Sequence, residues 1–584
     1  MDIFSILGLI GGLVLFLYGM DLMGDSLKKL AGGKLESILA KLTSSRWKGF
    51  LLGLVVTAII QSSSATTVML VGFVNSGIMK LAQTISIIMG ANVGTTVTAW
   101  LLSTAEIGGT AVVLKLLKPD SFTPILAAIG FIMITTAKND KKRNTGSILI
   151  GFAILMFGMD AMSGAVEGLR DNATFTSMLT AFSNPIMGII VGTLFTAIIQ
   201  SSSASVGVLQ ALALTCAIPY STAIPVILGQ NIGTTITPVI SSISGNTESK
   251  RVAIACVYIK MIGVAVVCTA FYVLDYIFNF AFMDSNISAF NIAVVHTAFN
   301  IISTVILIPF CNSIERLVIK SIKPNKQERE VDVFDTLDDR FLEIPSFAVE
   351  KCKDLVCDMA KLSGESFVKA SKLLDNFDES VFNEIKELEG KIDRYEDKTS
   401  SYLVKIAGRQ MSDKDSKVVT ELLHCIGDLE RISDHALNVA EAAKEIYDKE
   451  IQFSEKARQD IAIITNAVSE ILELTINTLI NDDINLAKSV EPLEQVIDRL
   501  KRKIKNGHIT RLRQGDCTME LGFILSDLLT NYERVSDHCS NIAVCVIEIA
   551  TNSFEAHEYL HQVKSGEEEF NEMYQAYKQK YYIG

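Results

Sequence analysis

The sequence predicts an all-α protein in two parts, a polytopic helical membrane domain of two inverted repeats followed by a cytoplasmic pair of three-helix bundles. Three observations carry this expectation. QSSSA stands at residues 61–65 and again at 200–204, an offset of 139 that also carries residues 12–23 onto 151–162 and 90–98 onto 229–237. A duplication of this length, with apolar spans inside it, points to an inverted-repeat membrane architecture rather than a solenoid. Long apolar runs with few charges extend to about Leu317, whereas after Lys320 charges crowd every turn and no run is expected to span a bilayer. From Ser346 onward, apolar residues recur every three or four positions with few Gly or Pro breaks.

The first apolar run, ending near Met20, lacks the basic start of a cleaved leader and reads as a retained first helix. An amphipathic stretch over 28–48 follows, with Lys28, Lys29, Lys34, Lys41, Arg46 and Lys48. Its counterpart in the second repeat, 164–185, carries only Arg170 against Glu167 and Asp171. Basic loops stay in the cytoplasm, so the two halves are expected in opposite orientations, with the N-terminus outside. The basic segments at 138–143 and Lys250–Arg251 agree with this, as do a span from 252 to about 280 and a return over 291–310. The chain then emerges on the cytoplasmic side at Arg316, Lys320 and Lys323.

Between Lys48 and Lys80 lie 31 uncharged residues, too many for one simple span and better read as a helical hairpin or a broken helix. Gln61 falls roughly 20 Å along a helix from Lys48, at membrane depth. Four consecutive polar side chains there, Gln61, Ser62, Ser63 and Ser64, must line a cavity or pack on protein. A single membrane serine commonly bonds back to its own helix. The same four-residue word twice in register, at Gln200, Ser201, Ser202 and Ser203, argues instead for a binding site. Hydroxyls and carbonyls suit a dehydrated cation, and freed amides at half-helix starts suit an anion.

The second duplicated word adds Gly90 and Gly94, with Gly229 and Gly233, for close approach or irregular backbone. It also adds Asn92 and Asn231 as half-helix caps and the hydroxyls of Thr95, Thr96, Thr234 and Thr235. Neither word contains a charge, so a bound anion would need a co-bound cation.

Doubled QSSS followed by G-x-N-x-G-T-T resembles the type II sodium-phosphate cotransporter family in its bacterial form, over residues 1 to about 320. The resemblance implies re-entrant hairpins meeting near the midplane, with sodium and inorganic phosphate bound by Gln61, Ser62, Ser63, Ser64, Gln200, Ser201, Ser202 and Ser203. Beyond Ala65 and Ala204, Thr66 and Ser205 keep a hydroxyl, but Val206 stands where the first repeat has Thr67.

The second part is duplicated as well: 428–441 resembles 531–544, and 387–393 resembles 492–498. Each repeat has room for three helices. Each holds two Glu-x-x-x-Asp pairs, Glu389/Asp393 with Glu430/Asp434 and Glu494/Asp498 with Glu533/Asp537. Carboxylates converging from facing helices suit a divalent cation or iron. This half is similar to the PhoU domain, whose paired motifs bind metal in family members and which acts in phosphate regulation.

The expected boundaries are a transmembrane domain at 1–320 (repeats about 1–137 and 147–282, final span about 291–310), a linker at 321–345, a PhoU-like domain at 346–574 and a tail at 575–584. A net charge of −12 with no large basic cluster excludes nucleic acid. The ten scattered cysteines read as apolar fillers in a reducing cytoplasm. No nucleophile–base constellation suggests an enzyme. The expected function is sodium-dependent phosphate symport through the lipid bilayer by alternating access, with a dimer compatible with the resemblance. A phosphate-sensing receptor, or an exporter of phosphate or another small oxyanion, is the alternative.

Overall fold

The computed structural model describes residues 3–31, 45–106, 119–137, 139–167, 182–324, 332–515, 517–551 and 568–583, and no strand occurs among them. The chain forms two compact units, Met1–Ile344 and Pro345–Gly584.

In the first unit, α1 (Ile3–Ala31) is apolar through its first five turns and carries Lys28 and Lys29 in its last turn. The helix thus runs well beyond the expected end near Met20, and these lysines belong to it rather than to a loop. Lys34 and Lys41, with Arg170 and Asp171 of the counterpart loop, lie outside the described residues. Helix α2 (Arg46–Ile60) starts where the Ser45 hydroxyl accepts from the Lys48 amide. It is followed by α3 (Ser63–Asn75), α4 (Leu81–Gly94) and α5 (Thr96–Ser103). Next come α6 (Pro119–Thr136) and α7 (Asp140–Val166), the latter capped by Asn139. The second repeat gives α8 (Pro185–Ile199), α9 (Ser202–Thr215), α10 (Tyr220–Gly233) and α11 (Ile236–Ser242). Helices α12 (Thr247–Phe278), α13 (Ala289–Leu307) and α14 (Cys311–Ser321) complete the bundle.

Glycines set the closest contacts. A Cβ at Gly19 would lie 2.6 Å from the Gly151 carbonyl oxygen, and one at Gly12 would lie 2.9 Å from that of Gly158. The equivalent helices α1 and α7 therefore cross antiparallel, and Phe16 and Met159 fill the space beside the crossing, both buried. Gly90 packs α4 against Phe50 of α2, and Gly229 packs α10 against Ile189 of α8. Of the two uses expected for these glycines, close approach is the one observed. The backbone between α4 and α5 stays helical at Thr95, with φ −59° and ψ −27°.

Residues 332–344, expected to be linker, fold onto the first unit as a strap of two 3₁₀ turns, Val333–Thr336 and Asp339–Glu343. Asn75 donates to Asp338 Oδ2 at 2.9 Å, and Ser76 Oγ donates to the Asp335 carbonyl at 2.6 Å. Phe341 stacks obliquely on Phe73 with centroids 5.4 Å apart. It is 1 % exposed, a burial that stabilises by about 2 kcal/mol.

The second unit has the expected three helices per repeat: α15 (Pro345–Leu373), α16 (Glu379–Ala407) and α17 (Asp413–Asp448), then α18 (Glu455–Asn481), α19 (Ile484–Gln514) and α20 (Met519–Thr551). The stripe Leu422, Cys425, Ile426, Leu429, Ile432, Ala436 and Val439 is buried throughout. Of the tail expected at 575–584, residues 575–583 instead continue α21 (Glu568–Lys580) and its end, where Lys580 pairs with Glu470 at 2.8 Å and Ile583 is buried.

Among the described residues, seven helices are long and apolar enough to cross a membrane, six of them in the first unit. The seventh is α18, which corrects the expectation that no such helix follows Lys320. Its Ile464, Val468 and Ile471 are buried in the helical bundle, so its apolar face is satisfied by protein.

Candidate functional site

Both QSSS words interrupt helices, in the same way. Gln61 ends α2 and Gln200 ends α8, each in the left-handed region at φ 58° and 60°. For a residue with a Cβ that conformation costs about 1–2 kcal/mol, and here it occurs twice in register. Ser62 then caps α3 by accepting from the Ala65 amide at 3.1 Å, and Ser201 caps α9 by accepting from Ala204 at 3.2 Å. The first amides of each half-helix have no partner within their own helix. The two arms of each break are stapled by buried hydroxyls. Thr57 bonds Thr66 at 3.0 Å, and Thr196 bonds Ser205 at 2.8 Å. Thr66 in turn donates to the Ser62 carbonyl at 3.0 Å.

The two breaks share one cavity of about 250 Å³, lined by Gln61, Ser62, Ser63 and Ser64 and by Gln200, Ser201, Ser202 and Ser203. Equivalent residues 139 positions apart thus line the same space. The arrangement is not symmetric. Gln61 is buried, with its Oε1 accepting from Thr98 at 2.8 Å, whereas Gln200 is exposed and the equivalent Thr237 hydroxyl is buried without a hydrogen bond.

The other expected residues do not line this cavity. Thr66 and Ser205 act as staples behind it. Thr95, Thr96, Thr234 and Thr235, at the α4–α5 and α10–α11 junctions, bond back to the carbonyls of Ala91, Val93, Gln230 and Ile232. Asn92 and Asn231 sit inside α4 and α10 rather than at a cap. Asn231 donates to the Ile227 carbonyl, and Asn92 Oδ1 is buried without a hydrogen bond.

Among the described residues, four charged ones also line it: Asp21, Asp25 and Lys28 from the last turns of α1, and Glu343 from the strap. Lys28 pairs with Asp25 at 3.1 Å. The expectation of a site without a fixed cation is therefore corrected, since an ammonium stands in its wall. Thr57, Thr196, Lys28 and Glu343 were missed from the sequence. For the threonines a signal existed, because they share the 139-residue offset.

In the second unit, Glu389, Asp393 and Asp434 can place carboxylate oxygens within 4.8 Å of one another, the one such group among the described residues. Burial, then the charges of Asp393 and Asp434, raises the Glu389 carboxyl above its usual range; burial, then the charge of Asp434, likewise raises Asp393 and Glu430. The second set, Glu494, Asp498, Glu533 and Asp537, does not gather in this way. Glu533 is ion-paired to Lys501, and Asp537 lies 3.7 Å from Arg534.

A helical unit with six spanning-length apolar helices, a polar cavity at paired helix breaks and an appended pair of three-helix bundles defines a multi-pass membrane transporter with a helical accessory domain. Residues 15–164 and 157–291 match the Na+/Pi-cotransporter family, and 356–443 and 461–546 match the PhoU domain. The chain belongs to the Na+/Pi-cotransporter family and carries a PhoU domain. It is 30 % identical over 309 residues to the uncharacterised YqeW protein of Bacillus subtilis, spanning 52 % of this chain and 94 % of that one. YjbB of Salmonella typhimurium, a proposed inorganic phosphate export protein, is 21 % identical across 95 % of this chain and all of its own length. Sodium-dependent phosphate transport protein 2A of Rattus norvegicus is 35 % identical over 103 residues, 17 % of this chain and 16 % of its own.

Proposed function

We propose that this protein is a sodium-coupled inorganic phosphate symporter of the cell membrane, working by alternating access around the QSSS breaks. The observation that carries the reading is the convergence of both breaks on one cavity, lined by two helix starts and six serines. Helix starts favour an anion, and hydroxyl and carbonyl oxygens favour a dehydrated cation. Among the described lining residues, three carboxylates stand against one lysine, a formal charge of −2. A phosphate dianion entering such a wall gains from accompanying cations, which supports sodium as the coupling ion. The antiparallel pairing of α1 with α7 supports repeats of opposite orientation, with α2–α3 and α8–α9 as re-entrant hairpins. Exposed apolar side chains such as Phe4, Ile186, Ile198 and Tyr276 support a lipid-facing belt. The unit from Pro345 onward is read as cytoplasmic and regulatory.

Radiolabelled phosphate uptake into proteoliposomes tests the coupling. An inward sodium gradient should raise initial uptake at least about tenfold over the same gradient of a large organic cation. Equal uptake in the two would remove the sodium claim.

A second reading reverses the direction, because YjbB, which matches across nearly the whole chain, is described by its proposed role in phosphate export. The same cavity serves either direction, and sodium-independent efflux from phosphate-loaded vesicles would favour that reading.

In the second unit, Glu389, Asp393 and Asp434 are proposed as a divalent-cation or iron site, since closely spaced carboxylates with raised pKa gain from a shared hard cation. Calorimetric titration of the full chain with Mn²⁺ should show binding that weakens as pH falls from 7 to 5 and is lost in Asp393→Asn. Binding unchanged in that variant would place the metal elsewhere, and no binding to the wild type would remove the site.

A further inference from the structure

The strap presents one side chain to the cavity and buries those around it. Phe341 is 1 %, Leu342 7 % and Ile344 5 % exposed, whereas Glu343 between them is exposed and lines the same space as the QSSS serines. The mount is fixed at several points. Asp338 receives Asn75 at 2.9 Å and holds Arg340 at 2.7 Å, and Arg340 also donates to the Ser241 carbonyl at 3.3 Å. Asn75 Oδ1 meanwhile accepts from the Asn246 amide at 2.9 Å. The strap is thereby tied to the end of α3, which begins at the first QSSS break, and to α11 in the second repeat. The backbone that carries Glu343 is thus anchored at the cavity wall.

We propose that Glu343 is a specificity-determining residue of the cavity: a fixed negative charge, delivered by the strap, that weakens anion binding unless cations enter as well. Asp25 already has Lys28 as its partner at 3.1 Å. Among the described residues, Glu343 is the one charged lining residue that α1 does not supply, and it stands two positions before Pro345, where the second unit begins. Its charge acts on any anion among the serines through a partly solvated space, where unit charges several ångströms apart still interact appreciably and salt screens them. An anion that arrives with sodium is penalised less than one that arrives alone. The carboxylate thus favours coupled over uncoupled entry.

This inference rests on reading the cavity as the phosphate site, and the test separates the two. Phosphate uptake by the full chain in proteoliposomes is measured against phosphate and against sodium concentration for the wild type, Glu343→Asp, Glu343→Gln and Glu343→Lys. Glu343→Gln should lower the half-saturating phosphate concentration about threefold to tenfold and raise uptake at low sodium. Glu343→Lys should shift both further, and Glu343→Asp should stay within about twofold of the wild type. The differences should shrink when ionic strength is raised with choline chloride. A role in packing alone would not rank the variants by charge. Wild-type uptake with Gln and Lys variants indistinguishable from it would overturn the proposal while leaving the phosphate site standing. If the wild type neither binds nor moves phosphate, the reading of the cavity fails and the proposal falls with it.

Discussion

Ser63→Ala and Ser202→Ala should each cut sodium-driven phosphate uptake by about tenfold to a hundredfold, and the double variant should fall to the level of empty vesicles. The two serines are the first residues of α3 and α9, 5 % exposed, and line one cavity from opposite repeats. Removing a hydroxyl that bonds a charged ligand costs about 1.5–3 kcal/mol, which corresponds to that range of fold-change. The folding cost should be small, because the caps of both half-helices are made by Ser62 and Ser201, not by these residues. Circular dichroism and detergent melting of each variant serve as the folding control. Uptake within twofold of the wild type in a folded double variant would move the site away from the breaks.

The second large effect concerns stability. Gly90→Ala should destabilise the first unit by roughly 3 kcal/mol or more, because overpacking against backbone atoms cannot be relieved by a rotamer change. The added Cβ would lie 1.9 Å from the Phe50 carbonyl oxygen, 2.8 Å from its carbon and 2.9 Å from the Leu54 nitrogen, so α2 and α4 must separate. Gly229→Ala should behave alike, its Cβ falling 2.1 Å from the Ile189 carbonyl oxygen. Gly11→Ala is the control, since nothing lies within 4 Å of that position and alanine favours a helix. Hydrogen exchange over α2 and α4 should rise in Gly90→Ala and remain unchanged in Gly11→Ala. Equal protection in both would show that the glycine contact is not what holds the pair together.

Much of the site was legible because duplication left the same word twice. QSSS at 61 and 200 announced paired helix breaks, and both breaks occur at those residues with the same left-handed glutamine. The periodic stripe from Leu422 to Val439 likewise revealed its buried face. Other features were not legible, for physical reasons. Glu343 reaches the cavity on a strap whose contacts with Asn75 and Ser76 join residues 263 and 259 positions apart, and no local periodicity encodes such a pairing. Lys28 was assigned to a loop because charge was taken to end the span, whereas α1 continues through it to Ala31. Asn92 and Asn231 looked like half-helix caps because Asn is so often a capping residue, yet both helices run past them to Gly94 and Gly233. Tertiary packing of α4 on α2 and of α10 on α8 outweighed that local preference.

The crossing of α1 with α7 has a further consequence. Gly12 meets Gly158 and Gly19 meets Gly151, and the repeat offset makes Gly12 the twin of Gly151 and Gly19 the twin of Gly158. Each patch is therefore complementary to its own copy, as in the isologous interface of a two-fold dimer. A half-length chain with one such helix would already carry the surface needed to pair with a second copy, before any fusion joined them. Substitution at either end of the crossing therefore acts on both halves at once.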